Sequence, residues 1–301
     1  MKIKILGRGQ LKVFGRIQQE KIILWIVFPI LFLWSLTLIY PFIWAFINSL
    51  KTMPEYYGDS FSLPKDWLFS NWSIAFKVLK VPKSNPMYET GLWDMMFNSL
   101  WFTLGGGFLN ILSAAMLAYA VSKYRFKFCG FLYNLSIAVM MLPVIGSMAA
   151  EYKYFHLWGI TNSPLYLVTA LGSIGTSTFL ILYSAFKAIP WTYAEAVFID
   201  GGGNWTVFLR VMIPQAMPLL SAMFIMVCIG RWNDYMAPYL YLTDYPTLAT
   251  GLFRLEHASL TVNNKPVYFA AVLISVIPIF VLFILCSKKI MSNVSIGGLK
   301  G

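Results

Sequence analysis

The 301-residue chain is 58% hydrophobic, only 12% charged, and carries a net charge of +11. Soluble domains hold roughly 25% charged residues, so too few charges are present to dress a water-facing surface, and a soluble globular fold is excluded. The basic excess does not mark a nucleic-acid binder either, because the lysines and arginines are spread over loops between apolar runs.

Residues 1–21, MKIKILGRGQLKVFGRIQQEK, form a basic tail. Such a tail either lies on the anionic inner leaflet as a surface helix or stays disordered and only sets orientation. Residues 22–301 form one membrane domain. Its apolar stretches fall at about 22–50, 98–122, 130–150, 164–187, 213–236 and 267–287, against the roughly 20 residues a helix needs to cross the hydrocarbon core. The expected fold is therefore all-α, a polytopic membrane protein with six transmembrane helices. The first stretch is too long for a signal-peptide core and no small-residue cleavage site follows it, so it is read as a membrane anchor. The third is interrupted by Pro143, Gly146 and Glu151.

Several conspicuous residues have plain structural readings. Gly105, Gly106 and Gly107 suit close helix packing. Asn110, Ser113, Thr176 and Ser177 suit hydrogen bonds between helices, and His156 and His257 are isolated. Cys129, Cys228 and Cys286 lie far apart in or beside apolar segments, which argues against a disulfide framework or a zinc site.

Orientation follows from the basic residues. If both termini and the loops at 123–129 and 187–212 face the cytoplasm, 14 of the 23 lysines and arginines lie on that side, six of them in the tail. That bias predicts N-in and C-in.

Residues 188–214, within AIPWTYAEAVFIDGGGNWTVFLRVMIPQAMP at 188–218, predict a helix–turn–helix on the cytoplasmic face. Pro190 suits a first turn, residues 191–200 a short helix, and Gly201 its C-cap. Asn204 suits the N-cap of a second short helix from Trp205 towards Val211, and Pro214 and Pro218 mark the start of the fifth span. Neither helix is long enough to be stable alone. Trp191, Phe198, Ile199, Trp205, Phe208 and Leu209 give both an apolar surface, and Asp200 sits at a helix end where the dipole disfavours an anion. Local rules broken together mark a docking element. Gly201-Gly202-Gly203 is no nucleotide loop, since no GK[ST] follows.

This segment resembles the EAA motif of ATP-binding-cassette importer permeases, a Glu-Ala-Ala, then Gly, then Ile-x-Leu-Pro at fixed spacing. Glu195, Ala196, Gly201 and Pro214 match; Val197, Val211 and Ile213 depart conservatively. Ile199-Asp200-Gly201, Trp232-Asn233-Asp234, the terminal Gly297-Gly298-Leu299-Lys300-Gly301, and Asn48-Ser49-Leu50-Lys51 leading to Leu63-Pro64 and Asn71-Trp72 are similar to the carbohydrate branch of these permeases, maltose-system type. The resemblance implies a bacterial inner-membrane importer subunit that is not itself an enzyme. It also implies a second permease, two cytoplasmic ATPases that bind ATP and Mg, and an extracytoplasmic solute-binding protein facing the outer loop 255–266. This chain would hold no cofactor. Glu195, Ala196, Asp200, Gly201 and Pro214 are then the expected contact with the ATPase.

The substrate path is read from polar residues in or near the membrane, which are costly and point to function. Arg231 and Asp234 flank Trp232 and Asn233 and are expected to pair; Trp232, Asn233 and Asp234 are the candidates for lining the path, against interfacial anchoring. The alternatives are an ion-coupled secondary transporter, which would show inverted repeats and deep charges, and a membrane enzyme, which would need a clustered catalytic set.

Overall fold

A computed structural model describes residues 8–85, 87–142, 146–257 and 264–294. In chain order the helices are α1 (Arg8–Ser49), α2 (Met53–Gly58), α3 (Ser70–Val78), α4 (Leu92–Leu100), α5 (Gly106–Lys123), α6 (Cys129–Met141), α7 (Met148–Leu157), α8 (Ser177–Ala188), α9 (Thr192–Ile199), α10 (Asn204–Val207), α11 (Ile213–Asn233), α12 (Met236–Tyr241), α13 (Leu248–Glu256) and α14 (Lys265–Val294). A 3-10 helix covers Pro164–Leu171, and one small hairpin pairs β1 (Val81–Pro82) antiparallel with β2 (Glu89–Thr90).

Among the described residues, three helical stretches are long and apolar enough to cross a bilayer: Val27–Ser49, Leu92–Lys123 and Asn204–Asn233. The second and third are each joined across a π-turn, at Trp101–Gly105 and Phe208–Met212. The second π-turn lies just before Pro214, which has no N–H to give the helical ladder. A wider turn upstream lets the helix run on where a proline would otherwise end it. The fifth predicted span therefore starts at Asn204, not at the prolines, and Pro218 sits inside α11.

Two predicted spans are not single helices. The third ends at Met141, with Leu142 as its C-cap, and α7 follows as a separate short helix. The fourth divides into the 3-10 helix and α8. Thr176 caps α8 by accepting a hydrogen bond from the Phe179 N–H, and such a cap starts a helix afresh. The Gly175 N–H, freed from any helix, donates to Ser136 Oγ on α6 at 3.1 Å.

Packing concentrates in three apolar clusters. At one end α5, α8, α9, α10 and α11 meet around Ala118, Phe179, Phe186, Ala194, Phe208 and Met212. At the other end α3, α4, α13 and α14 enclose Leu79, Met95, Trp232 and Ala271. A smaller third joins Phe102, Tyr166, Tyr241 and Leu242. The α5–α11 crossing is close because Gly106 and Gly107 have no side chains: a Cβ at Gly106 would collide with the Arg231 guanidinium, and one at Gly107 with Cys228 Sγ. The lower half of α1 carries a row of exposed Trp, Phe, Leu and Ile. In water such a row is costly, whereas lipid covers it without penalty.

The residues after α1 form a buried clamp. Asn71 Nδ2 donates to the Ser49 and Lys51 carbonyls, both at 2.9 Å, and Trp72 Nε1 donates to Ser49 Oγ at 3.1 Å. Lys51 is fully buried, its ammonium donating to the Asp59 carbonyl at 2.9 Å.

Candidate functional site

The helix–turn–helix at residues 188–214 is held by its own hydrogen bonds. Gly201 sits at φ +80°; its N–H donates to the Phe198 carbonyl at 3.1 Å, and the Gly202 N–H donates to Val197 at 2.8 Å. This bond pair is the Schellman arrangement, which satisfies the last carbonyls of α9 and requires the left-handed conformation at its second position. Asp200 is the C-cap.

The start of the second helix differs from expectation. Gly203, not Asn204, is the N-cap, and the helix continues into α11 without ending near Val211. Asn204 Oδ1 instead accepts the Tyr124 hydroxyl at 3.0 Å, tying the turn to the loop after α5. Pro190 lies before α9, whose N-cap is Trp191.

Aromatic packing seats the element on the bundle. Phe208 meets Tyr119 at 4.9 Å between ring centres, and Trp191 meets Tyr124 at 6.0 Å. Lys123 Nζ donates to the Ile189 carbonyl and, at 3.4 Å, to that of Lys187, placing a cation at the C-terminal end of α8, where the dipole favours it. Sequence reasoning missed Tyr119, Lys123 and Tyr124. The only signal was their position in the last turns and C-cap of α5.

What the element buries and what it shows are different faces. Ala194, Val207, Phe208 and Met212 are buried. Glu195, Ala196, Asp200, Gly201 and Pro214 are all exposed, together with Tyr193, Phe198, Leu209, Trp205 (65% exposed) and Ile199 (86% exposed). Acidic and apolar groups are thus exposed together in α9, next to the start of a 30-residue helical stretch, Asn204–Asn233, while Trp205 borders a groove with Met116, Tyr119, Tyr124 and Phe208.

At the far end of that stretch, the four residues 231–234 do not form one cluster. Trp232 is only 7% exposed and belongs to the second apolar core. Asn233 is exposed, its amide donating to the Ile229 carbonyl at 2.8 Å. Asp234 Oδ1 accepts the Ala237 N–H at 3.0 Å. The expected Arg231–Asp234 ion pair is not among those of the described residues; the guanidinium lies 5.2 Å from the Phe102 ring centre, where a cation and a ring face attract.

Beyond this end, Asp244 gathers three chain segments. Its Oδ1 accepts the Ser84 N–H at 2.6 Å, its Oδ2 accepts Asn162 Nδ2 at 2.5 Å, and its own N–H donates to Asn162 Oδ1 at 2.7 Å. The Ser84 N–H, more than any other group, holds the Asp244 carboxyl below the usual carboxylate range. A depressed folded pKa stabilises the clamp fully above the unfolded value of 3.8, and this contribution is lost as pH falls through the lower folded value. Acidification through that window should release the hairpin from the 162–244 loop, read as a lower protection factor for the Ser84 amide relative to its intrinsic exchange rate at the same pH. Asp244→Asn should show the lower protection already at neutral pH, and protection at Ser84 that ignores both changes would contradict the clamp.

Of the remaining expectations, Asn110 Nδ2 does bond across elements, to the Ala170 carbonyl at 3.2 Å, whereas Ser113 bonds within its own helix. Residues 258–263 of the predicted outer loop, and the terminal residues 297–301, lie outside the described residues.

Bilayer-length apolar helices, with a short helix–turn–helix exposed at one end, define a multi-pass membrane protein. The chain belongs to the family described as the binding-protein-dependent transport system inner membrane component, which matches residues 110–288. Among curated relatives, the diacetylchitobiose uptake system permease protein NgcG of Streptomyces coelicolor is 27% identical over 271 residues, covering 89% of this chain and 86% of that protein. The melibiose/raffinose/stachyose import permease protein MelC of Bacillus subtilis is 27% identical, covering 87% and 91%. The fold is that of a bacterial ABC transporter involved in import of the acidic polysaccharide alginate, with a TM-score of 0.68, 19% identity and coverage of 95% of this chain and 99% of that one.

Proposed function

We propose that this chain is the permease subunit that carries a carbohydrate, a di- or oligosaccharide, through an ATP-driven importer. The named relatives take up diacetylchitobiose and melibiose, raffinose or stachyose, which supports the substrate class. The complex comprises a second permease, two cassette ATPases that bind ATP and Mg, and an extracytoplasmic solute-binding protein. It lies in the bacterial inner membrane with both termini in the cytoplasm, and the six-span topology applies if α6 with α7, and the 3-10 helix with α8, each cross as broken spans.

The observation that carries the reading is the two-faced helix–turn–helix. One face is locked to α5 and α8 through Phe208, Tyr124 and Lys123; the other presents Glu195, Ala196, Asp200 and Gly201 beside Phe198 and Ile199. An exposed apolar patch rimmed by polar groups is what a protein partner covers. In this reading the ATPase takes Ile199 and Phe198 into a groove, and Pro214 stands where the docked element joins α11. Closure of the ATPases on ATP then moves α9 and, through the continuous helix, the outer end of α11. The transporter thereby shifts between inward- and outward-facing states. Asn233 and Asp234 are the path-facing candidates at that outer end; Trp232 acts as the packing residue that holds them.

Cross-linking tests the contact. An Ile199→Cys variant, in membranes containing the whole importer, should form a disulfide with a cysteine placed in the ATPase groove, in a yield that changes on ATP addition. Cross-linking only to lipid-exposed cysteines of the second permease would overturn it.

A further inference from the structure

At the end of the bundle opposite the docking element lies a cavity of about 320 Å³ lined by Lys83, Asn85, Tyr88, Asp244 and Tyr245. Its chemistry is unlike that of the groove between α5 and α11, whose lining is Phe, Ile, Leu and Met with a single serine. The walls are fixed before any ligand arrives. The β1–β2 hairpin closes with the Lys83 N–H donating to the Tyr88 carbonyl at 3.0 Å. Asp244 bolts that hairpin to the opposite wall through Ser84 and Asn162. Tyr245 is braced edge-on by Trp101, 6.2 Å between ring centres at 87°, and Trp101 is in turn held by Asn98 at 3.1 Å.

Tyr88 is different. It is 61% exposed, and its ring has no aromatic or cationic partner among the described residues. A free aromatic face beside an amide, an ammonium and a carboxylate is the combination that suits a pyranose ring. The ring's C–H face packs on the aromatic, while its hydroxyls both donate and accept. Lys83 on the hairpin and Asp244 on the opposite wall bring opposite charges to the pocket, so it carries no net charge to favour an anion or a cation. Pre-formed pockets with a few fixed polar groups are the usual form of small-molecule sites. A docking protein is the poorer fit, because the polar groups sit in a concavity rather than on a projecting face.

We propose that this pocket is an entry subsite for one neutral sugar ring of the transported saccharide, stacked on Tyr88 and hydrogen-bonded by Asn85 and Lys83. The inference rests on the carbohydrate reading above and adds the place on this chain where the sugar is first met. It lies beyond the outer end of α11, whose path-facing candidates are Asn233 and Asp234.

The test uses the complete importer in proteoliposomes, with diacetylchitobiose, raffinose and melibiose as probes and loaded binding protein supplied in excess. Tyr88→Ala should raise the KM for the transported probe about tenfold, the scale of one lost aromatic contact, and Tyr88→Trp should restore it. Lys80→Gln, which removes only the hairpin's surface ion pair with Glu89, should leave KM unchanged. The affinity of the binding protein for each importer variant is measured separately. Wild-type transport with an unchanged KM in Tyr88→Ala would overturn the subsite. So would a Tyr88→Ala defect that Tyr88→Trp fails to restore, or one that follows weakened docking of the binding protein. Transport of none of the three probes by wild type would instead sink the carbohydrate reading itself.

Discussion

Replacing Gly201 with valine should lower ATP-coupled uptake at least about tenfold while leaving the chain inserted and assembled. Gly201 lies at φ +80° with nothing within 4 Å of where a Cβ would go, so the cost of adding a side chain is first of all backbone conformation. For a β-branched residue the left-handed region costs about 1–2 kcal/mol or more, enough to depopulate the ordered turn roughly tenfold. The Gly201 and Gly202 hydrogen bonds to Phe198 and Val197 would then be lost together, and α9 would no longer present Glu195 and Ile199 in fixed register. Asparagine enters the left-handed region readily, so Gly201→Asn should keep much of the uptake. Assays of ATP hydrolysis and uptake in proteoliposomes separate the outcomes. Valine should leave hydrolysis but lower uptake at least about tenfold, with asparagine between valine and wild type. Normal uptake by Gly201→Val would remove the turn from the coupling mechanism.

Phe208→Ala should have the largest effect on stability. Phe208 is buried in the first cluster, packs on Tyr119 at 4.9 Å and on Trp205 at 6.1 Å, and opens the π-turn that leads into α11. Truncating a buried phenylalanine costs about 3–5 kcal/mol. For a domain of this size that lowers the melting temperature by on the order of 10 °C. Because the same ring seats the docking element, the folded fraction should also hydrolyse ATP without moving substrate. Phe208→Leu refills most of the space and should recover both properties in part. A melting temperature within 2 °C of wild type, a margin set at about 1 kcal/mol, would show that the element is not held by this contact.

The two halves of the docking element were not equally legible. The C-terminal half of α9 could be read from residues alone, because glycine is the residue that tolerates the left-handed C′ position and its distance from Glu195 fixes the helix length. The start of the next helix could not: Asn204 is a good N-cap by type, but Tyr124, 80 residues earlier, takes its side-chain oxygen. Likewise Pro214 and Pro218 signal a helix start locally, and only the π-turn before them reveals that the helix already exists. Three of the apolar runs correspond to bilayer-length helices, and Pro143, Gly146 and Glu151 marked the interruption of the third run, but the break in the fourth was not legible, since Thr176 capping α8 depends on backbone geometry that hydropathy does not register. Trp232 was legible as part of a motif and not as a core residue, because its burial comes from α3, α4, α13 and α14, which are distant in sequence. The Asp244 clamp joins residues 82 and 160 positions apart, a pairing no single local pattern encodes.

The most direct measurement is uptake of a labelled saccharide into proteoliposomes holding this chain with its second permease and ATPases, with binding protein outside and ATP inside. The account predicts uptake that requires both ATP and the binding protein and that persists when ion gradients are collapsed. Uptake by this chain without ATPases, driven by an ion gradient, would contradict it.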